Sequence, residues 1–99
     1  MVDVTLYIDI EELCENESIN EEVIVEVVDY GIAVPQRGGI FSEWIFDLEN
    51  AYWIKKAVKL NQQLLLDWAA ISMVIDLMKD NEKLAQENEQ LRSRLSRLL

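Results

Sequence analysis

Hydrophobic spacing divides this chain into successive periods. Val4, Leu6 and Ile8 alternate with Thr5 and Tyr7, the two-residue repeat of a short strand. Asp9 follows with Glu12 three positions later, an arrangement that starts a helix over about residues 10–16, with Leu13 and Cys14 on its buried side. Asn20 is placed to cap a second helix, and Glu21 and Glu22 fall where carboxylates favour the helix dipole. In the stretch 21–30 the β-branched content favours a strand, but the spacing favours a helix. Val23, Ile24, Val27 and Val28 share one side, while Glu22, Val25, Glu26 and Asp29 share the other. Gly31 suits the end of that helix and Pro35 forbids its continuation. Two short helices separated by a few residues make a helix-turn-helix.

Between Val34 and Phe46 the pattern becomes extended on both sides of the turn Arg37-Gly38-Gly39, which predicts a small β-hairpin, or wing. Asp47 then caps a third helix reaching about Leu66, with Leu48, Ala51, Ile54, Val58 and Leu65 inward and Lys55, Lys56 and Lys59 outward. Those lysines read as a solvated face. Asp67 caps the last helix, whose first part, Trp68 to Met78, is apolar nearly all round, as for a helix packed on the domain.

From there Leu77, Leu84, Leu91 and Leu98 recur every seventh residue, each preceded by three positions by Val74, Asn81, Asn88 and Leu95. This is a heptad seam with two polar layers, and such a seam needs a partner to cover it. A helix folded back on its own domain would do so, as would a second copy. The acids Asp80, Glu82, Glu87 and Glu89 precede Arg92, Arg94 and Arg97, which favours self-association. The charge blocks fit an antiparallel partner, and Glu87 meeting Arg92 fits a parallel one. The organisation expected is therefore mainly α. Residues 1–66 form a winged helix-turn-helix-like domain, and 67–99 form a long C-terminal helix that acts as a dimerisation coiled coil from about residue 77.

Charge changes this picture sharply. Ten acidic residues and no basic one occupy the first thirty positions, and residues 31–99 hold nine of each, so the net charge of −10 sits on the N-terminal third. A helix-turn-helix that reads DNA neutralises phosphates with Lys and Arg. Here the second helix offers only acids and the wing offers only Arg37. A DNA-binding architecture adapted to dock a basic protein fits better. The candidate face is Glu21, Glu22, Val25, Glu26 and Asp29, an apolar centre rimmed by carboxylates. The competing reading is that these acids only keep the protein soluble.

Catalytic chemistry finds little support. The chain has no His and one Cys, which removes the commonest acid–base group and argues against a structural zinc site. Paired carboxylates such as Glu11-Glu12 read as solvated helix starts. The expectation is a non-enzyme without cofactor or metal. No apolar run approaches the roughly 18 residues of a membrane span, and the opening residues carry acids where a signal peptide needs bases. This points to a cytoplasmic protein.

The order of strand, two short helices, wing, third helix and long dimerisation helix resembles the MerR-type proteins. Within that class the chain resembles the CbpM-type chaperone modulators. The stretches that carry the likeness are VTLYIDIEELCE, INEEVIVEVVDYGIAVP, WIFD at 44–47, KKAVKL, LLLDWAAI at 64–71 and DLMKDNEKLAQENEQLRSRLSRLL. None is a catalytic signature; their number and order give the likeness its specificity. The resemblance implies a partner, the J-domain of a CbpA-type co-chaperone, and inhibition of that protein's co-chaperone activity and DNA binding. It would place the protein at the nucleoid only through its partner. A J-domain presents a basic helix leading to the loop that engages DnaK, which an acidic helical face would complement. The alternative is a MerR-type transcription regulator that binds DNA directly. A pure coiled-coil assembly protein would leave the first two-thirds of the chain unexplained.

Overall fold

Three aspartates set the frame of the molecule. In the computed structural model, which describes residues 6–36 and 39–99, Asp9, Asp47 and Asp67 each stand just before a helix and accept a hydrogen bond from the backbone N–H three residues on. Each bond is 2.8 Å, from Glu12, Asn50 and Ala70 respectively. These caps satisfy N–H groups that a helix start otherwise leaves without partners. They open α1 (Ile10–Glu17), α3 (Leu48–Leu64) and α4 (Trp68–Leu98). The remaining elements are β1 (Tyr7–Asp9), α2 (Glu21–Asp29), a single 3₁₀ turn at Phe41–Glu43, and β2 (Ile45–Asp47).

The fold is mainly helical with a small antiparallel sheet and a long last helix, as the spacing predicts. The sheet, however, is not the wing hairpin expected around residues 34–46. β2 pairs with β1, placing Tyr7 opposite Asp47, Ile8 opposite Phe46 and Asp9 opposite Ile45. The segment before the turn approaches β2 through one bond, from the Gln36 N–H to the Ile45 carbonyl at 2.7 Å. Val4 and Thr5, expected in the first strand, and Arg37 and Gly38 of the expected turn lie outside the described residues. β1 and β2 lead directly into α1 and α3, so the sheet clamps the starts of those two helices together.

The core forms where α1, α2, α3 and the first part of α4 meet. Leu13, Ile24, Val27, Phe46, Ile54, Ile71 and Ile75 are all buried there. Trp44 lies edge-on to both Phe41 and Phe46, with ring centroids 5.1 and 6.4 Å apart, which seats the 3₁₀ turn on the sheet.

Two leucines expected inside are outside. Leu48 is the first residue of α3 and 52% exposed. Leu65 ends α3 in a left-handed conformation at φ 54° and is 87% exposed, because the chain must reverse there to bring α4 back. Trp53 and Ala57 complete the buried face of α3 with Ala51 and Ile54.

The first part of α4 is also less enclosed than its composition predicts. Ile71 and Ile75 face the domain, with Trp68 and Met78 partly buried beside them, but Met73 and Leu77 are exposed. From Asp80 onward every residue of α4 is exposed, so this helix leaves the domain and does not fold back on it. No helix among the described residues is long and apolar enough to cross a membrane.

Candidate functional site

α2 forms where the period predicts it. Ile24 and Val27 are fully buried against the core, and Val23 and Val28 flank them half-buried. Asn20 occupies the capping position, but its side chain makes no capping bond; its carbonyl instead accepts from the N–H groups of Val23 and Ile24. The far end closes as Gly31 would have it. At φ +72° Gly31 donates to the Val28 carbonyl, and Ile32 donates to the Val27 carbonyl, both at 3.0 Å. This paired closure needs a left-handed residue, which glycine adopts without side-chain strain.

The outer face then carries Glu22, Glu26 and Asp29, all exposed, around a half-buried Val25. The first turn of α2 is acidic and its last turn carries no base. Glu21, expected on the same face, stands at its edge. It turns toward α1 and lines an open cavity of about 500 Å³ with Ile10, Glu11, Cys14, Glu15, Phe41 and Ser42. Its carboxylate is close enough to act on Cys14, whose thiol is pushed above its ordinary pKa by burial first, and then by Glu21 and Glu15. Among the described residues no group of three or more His, Cys, Asp or Glu is arranged to hold a metal ion.

The position of this face is fixed from behind by contacts that the sequence pattern does not announce. Ser72 Oγ donates to the Tyr30 carbonyl at 3.0 Å, and Lys79 Nζ donates to the Ile32 carbonyl at 2.9 Å. Both donors lie on α4, seven residues apart and therefore on one side of it. Both acceptors lie in the loop that ends α2. Tyr30 itself, 45% exposed, adds an aromatic ring beside Asp29 that spacing alone did not single out. The signal that could have found it is its place directly before the helix-ending Gly31.

The lysines of α3 lie elsewhere. Lys56 holds its ammonium 5.8 Å from the Tyr52 ring centre, and Lys55 and Lys59 line a separate open cavity of about 360 Å³ with Ile19, Val58 and Gln62.

The residues expected to mediate dimerisation form an uncovered stripe along α4. Leu77, Leu84, Leu91, Leu95 and Leu98 are each between 56% and 83% exposed. Leu77 follows Ile75 by two positions, about 200° around the helix, and Leu84 follows it by nine, about 180° around. The stripe therefore faces away from the domain that Ile71 and Ile75 pack against.

Comparison with known proteins agrees with this architecture. The family described as MerR HTH family regulatory protein matches residues 8–93. A chaperone modulatory protein CbpM from Citrobacter koseri is 38% identical over 99 residues, covering 100% of this chain and 97% of the relative. CbpM from Escherichia coli O139:H28 is 39% identical with the same coverage. CbpM from Pseudomonas putida is 33% identical over 92 residues, covering 93% of this chain and 90% of the relative. The chain belongs to the CbpM family of chaperone modulatory proteins, within the MerR helix-turn-helix class.

Proposed function

We infer that the protein modulates a chaperone system by binding the J-domain of a CbpA-type co-chaperone through the outer face of α2, inhibiting it. The observation that carries this reading is the exposed arrangement of Glu22, Glu26 and Asp29 around Val25, on a helix whose last turn holds no base. A half-buried aliphatic centre excludes water from the middle of such a contact, and carboxylates at its rim attract a basic helix and set its approach. The same surface is unsuited to phosphates, which it would repel.

The inhibition works by occlusion. The basic helix of the J-domain is the surface DnaK needs, so modulator and DnaK compete for it, and excess DnaK restores activity. The leucine stripe on α4 joins two copies into a homodimer. The protein acts in the cytoplasm and reaches DNA only through its partner.

The deciding experiment titrates the protein into a mixture of the J-domain protein and DnaK while ATP turnover is followed. Stimulation of turnover should fall as modulator is added and recover as DnaK is raised. An intact ternary complex of modulator, J-domain and DnaK on size exclusion would remove competition as the mechanism.

A further inference from the structure

We propose that the partner contact continues from α2 onto the first turns of α4, with Tyr30 and Met73 as its apolar anchors and Asp76 and Asp80 extending its acidic rim. This rests on the α2 contact proposed for the J-domain and deepens it. The occupant is the same basic amphipathic helix, gripped by two elements rather than one.

Ser72 supplies the geometry. Its Oγ donates to the Tyr30 carbonyl at 3.0 Å, so the end of α2 lies against this position of α4. At about 100° per residue, Ile75 and Ile71 lie about 60° and 100° to one side of Ser72, and both are fully buried. Asp76, Ala69, Asp80 and Met73 lie about 40°, 60°, 80° and 100° to the other side, and all four are exposed. The leucine stripe begins farther round, with Leu77 at about 140°. A solvent-facing flank therefore runs between the end of α2 and the stripe, part of neither the core nor the heptad seam.

What this flank carries matches the outer face of α2. Tyr30 is 45% exposed at its inner edge, and Met73 is 69% exposed at its outer one. Aromatic and methionine side chains are enriched at protein contacts, Met because its unbranched chain adapts to the surface it meets. In the angle between them stand Asp76 and Asp80, adding to the carboxylates of Glu22, Glu26 and Asp29. The flank itself holds no base. Lys79 is turned inward to the Ile32 carbonyl, and Lys83 stands about one turn beyond it. Apolar anchors among carboxylates fit a helix whose apolar ridge runs between Lys and Arg, and repel an acidic one. The Ser72 and Lys79 bonds fix α4 against the end of α2, so both parts of the surface are held in place before the partner arrives.

The test measures J-domain binding to the full-length chain by surface plasmon resonance. Tyr30→Ala, Met73→Ala and the pair Asp76→Asn with Asp80→Asn probe the flank, and Glu22→Lys with Glu26→Lys probes α2. Circular dichroism and sedimentation of every variant are compared with the wild type. Tyr30→Ala and Met73→Ala should each weaken binding by about fivefold or more, mainly through faster dissociation. The Asn pair should slow association and flatten its salt dependence. If Met73→Ala and the Asn pair bind as the wild type does while the α2 variant is weakened, the contact ends at α2. The extension is then overturned and the α2 reading stands. If the flank variants are weakened and the α2 variant is not, the two-element surface falls together with the α2 reading. Normal binding by all of them puts the J-domain elsewhere and overturns both. A change in sedimentation by Met73→Ala with single-site J-domain affinity unchanged assigns the flank to a second copy, which also overturns the proposal. Should Tyr30→Ala disturb the fold, Met73→Ala and the Asn pair, all at exposed positions, still decide.

Discussion

Lys79 reaches across from α4 to donate to the Ile32 carbonyl at 2.9 Å, and on the way its ammonium lies 5.5 Å from the centre of the Trp53 ring. Ile32 is 1% exposed and sits at the closure of α2, where the helix dipole is negative. One cation thus ties the end of the acidic helix to the helix that carries the leucine stripe. Lys79→Met removes the donor and leaves a carbonyl of a buried residue without this partner. It should lower unfolding stability by about 1–3 kcal/mol, read from tryptophan fluorescence in a denaturant titration. Lys79→Arg should recover part of that loss. Equal midpoints for wild type and Lys79→Met would mean the contact does not hold α2.

That contact also marks the limit of what the sequence makes legible. Asp9, Asp47 and Asp67 signal their helices because each acts locally, over three residues, and Gly31 signals the end of α2 for the same reason. The apolar side of α2 is legible because burial repeats with the helix period. The partner of β2 is not, since two strands of three residues carry too few side chains to specify who pairs with whom. Alternation around Trp44 and Phe46 read as a hairpin arm, whereas β1 is separated from β2 by two helices. Leu65 misled for a related reason. Helical spacing assigned it inward, but the chain reversal after α3 took it out of the helix and into solvent. Lys79 and Ser72 depend on tertiary placement alone, so no local pattern distinguished them from solvated residues.

Charge on α2 should govern partner binding. Replacing Glu22, Glu26 and Asp29 together by Lys changes exposed positions, so the helical content and thermal midpoint should stay near wild type. J-domain affinity should fall by at least tenfold, most of it through slower association, because rim charges steer encounter. Wild-type affinity should also weaken from 50 to 500 mM salt as the screening length shrinks well below about 10 Å. Surface plasmon resonance measures both. Unchanged binding by the triple variant, with no salt dependence, would move the contact off α2.

Cys14 reports independently on where Glu21 lies. Burial, Glu21 and Glu15 all raise the thiol above its ordinary pKa, so the folded protein holds the proton more tightly than the unfolded chain. The sign follows directly. Stability from this group is present below the unfolded thiol pKa and is lost as pH rises through the higher folded one. Thiolate is the reactive form, so alkylation of native Cys14 should be slow near pH 8 and accelerate only at higher pH than in the denatured chain. Glu21→Gln removes one of the raising charges and should shift the rate profile toward lower pH, while Glu22→Gln should leave it in place. Identical profiles for Glu21→Gln and wild type would separate Glu21 from Cys14 and return it to the outer face of α2.

The stripe on α4 makes the plainest demand on the chain as a whole. Leu84 is 62% exposed in a single copy and stands midway along a helix whose every residue from Asp80 onward is exposed. Most of a helix's stability in a protein comes from packing of its apolar face, so the last turns should gain their order from whatever covers the leucines. Leu84→Asp places a carboxylate in that seam, where pairing would have to bury it without a partner. The variant should sediment as a monomer at concentrations where the wild type should sediment as a dimer, and it should lose helical circular dichroism from the end of α4. The domain should remain folded, because its core residues Ile71 and Ile75 lie on the opposite side of the helix. J-domain binding by each α2 face should then survive at its single-site affinity, and any additional tightness toward a paired partner should disappear. If the variant remained dimeric, the leucines would not form the interface, and the second copy would have to be held by another part of the surface.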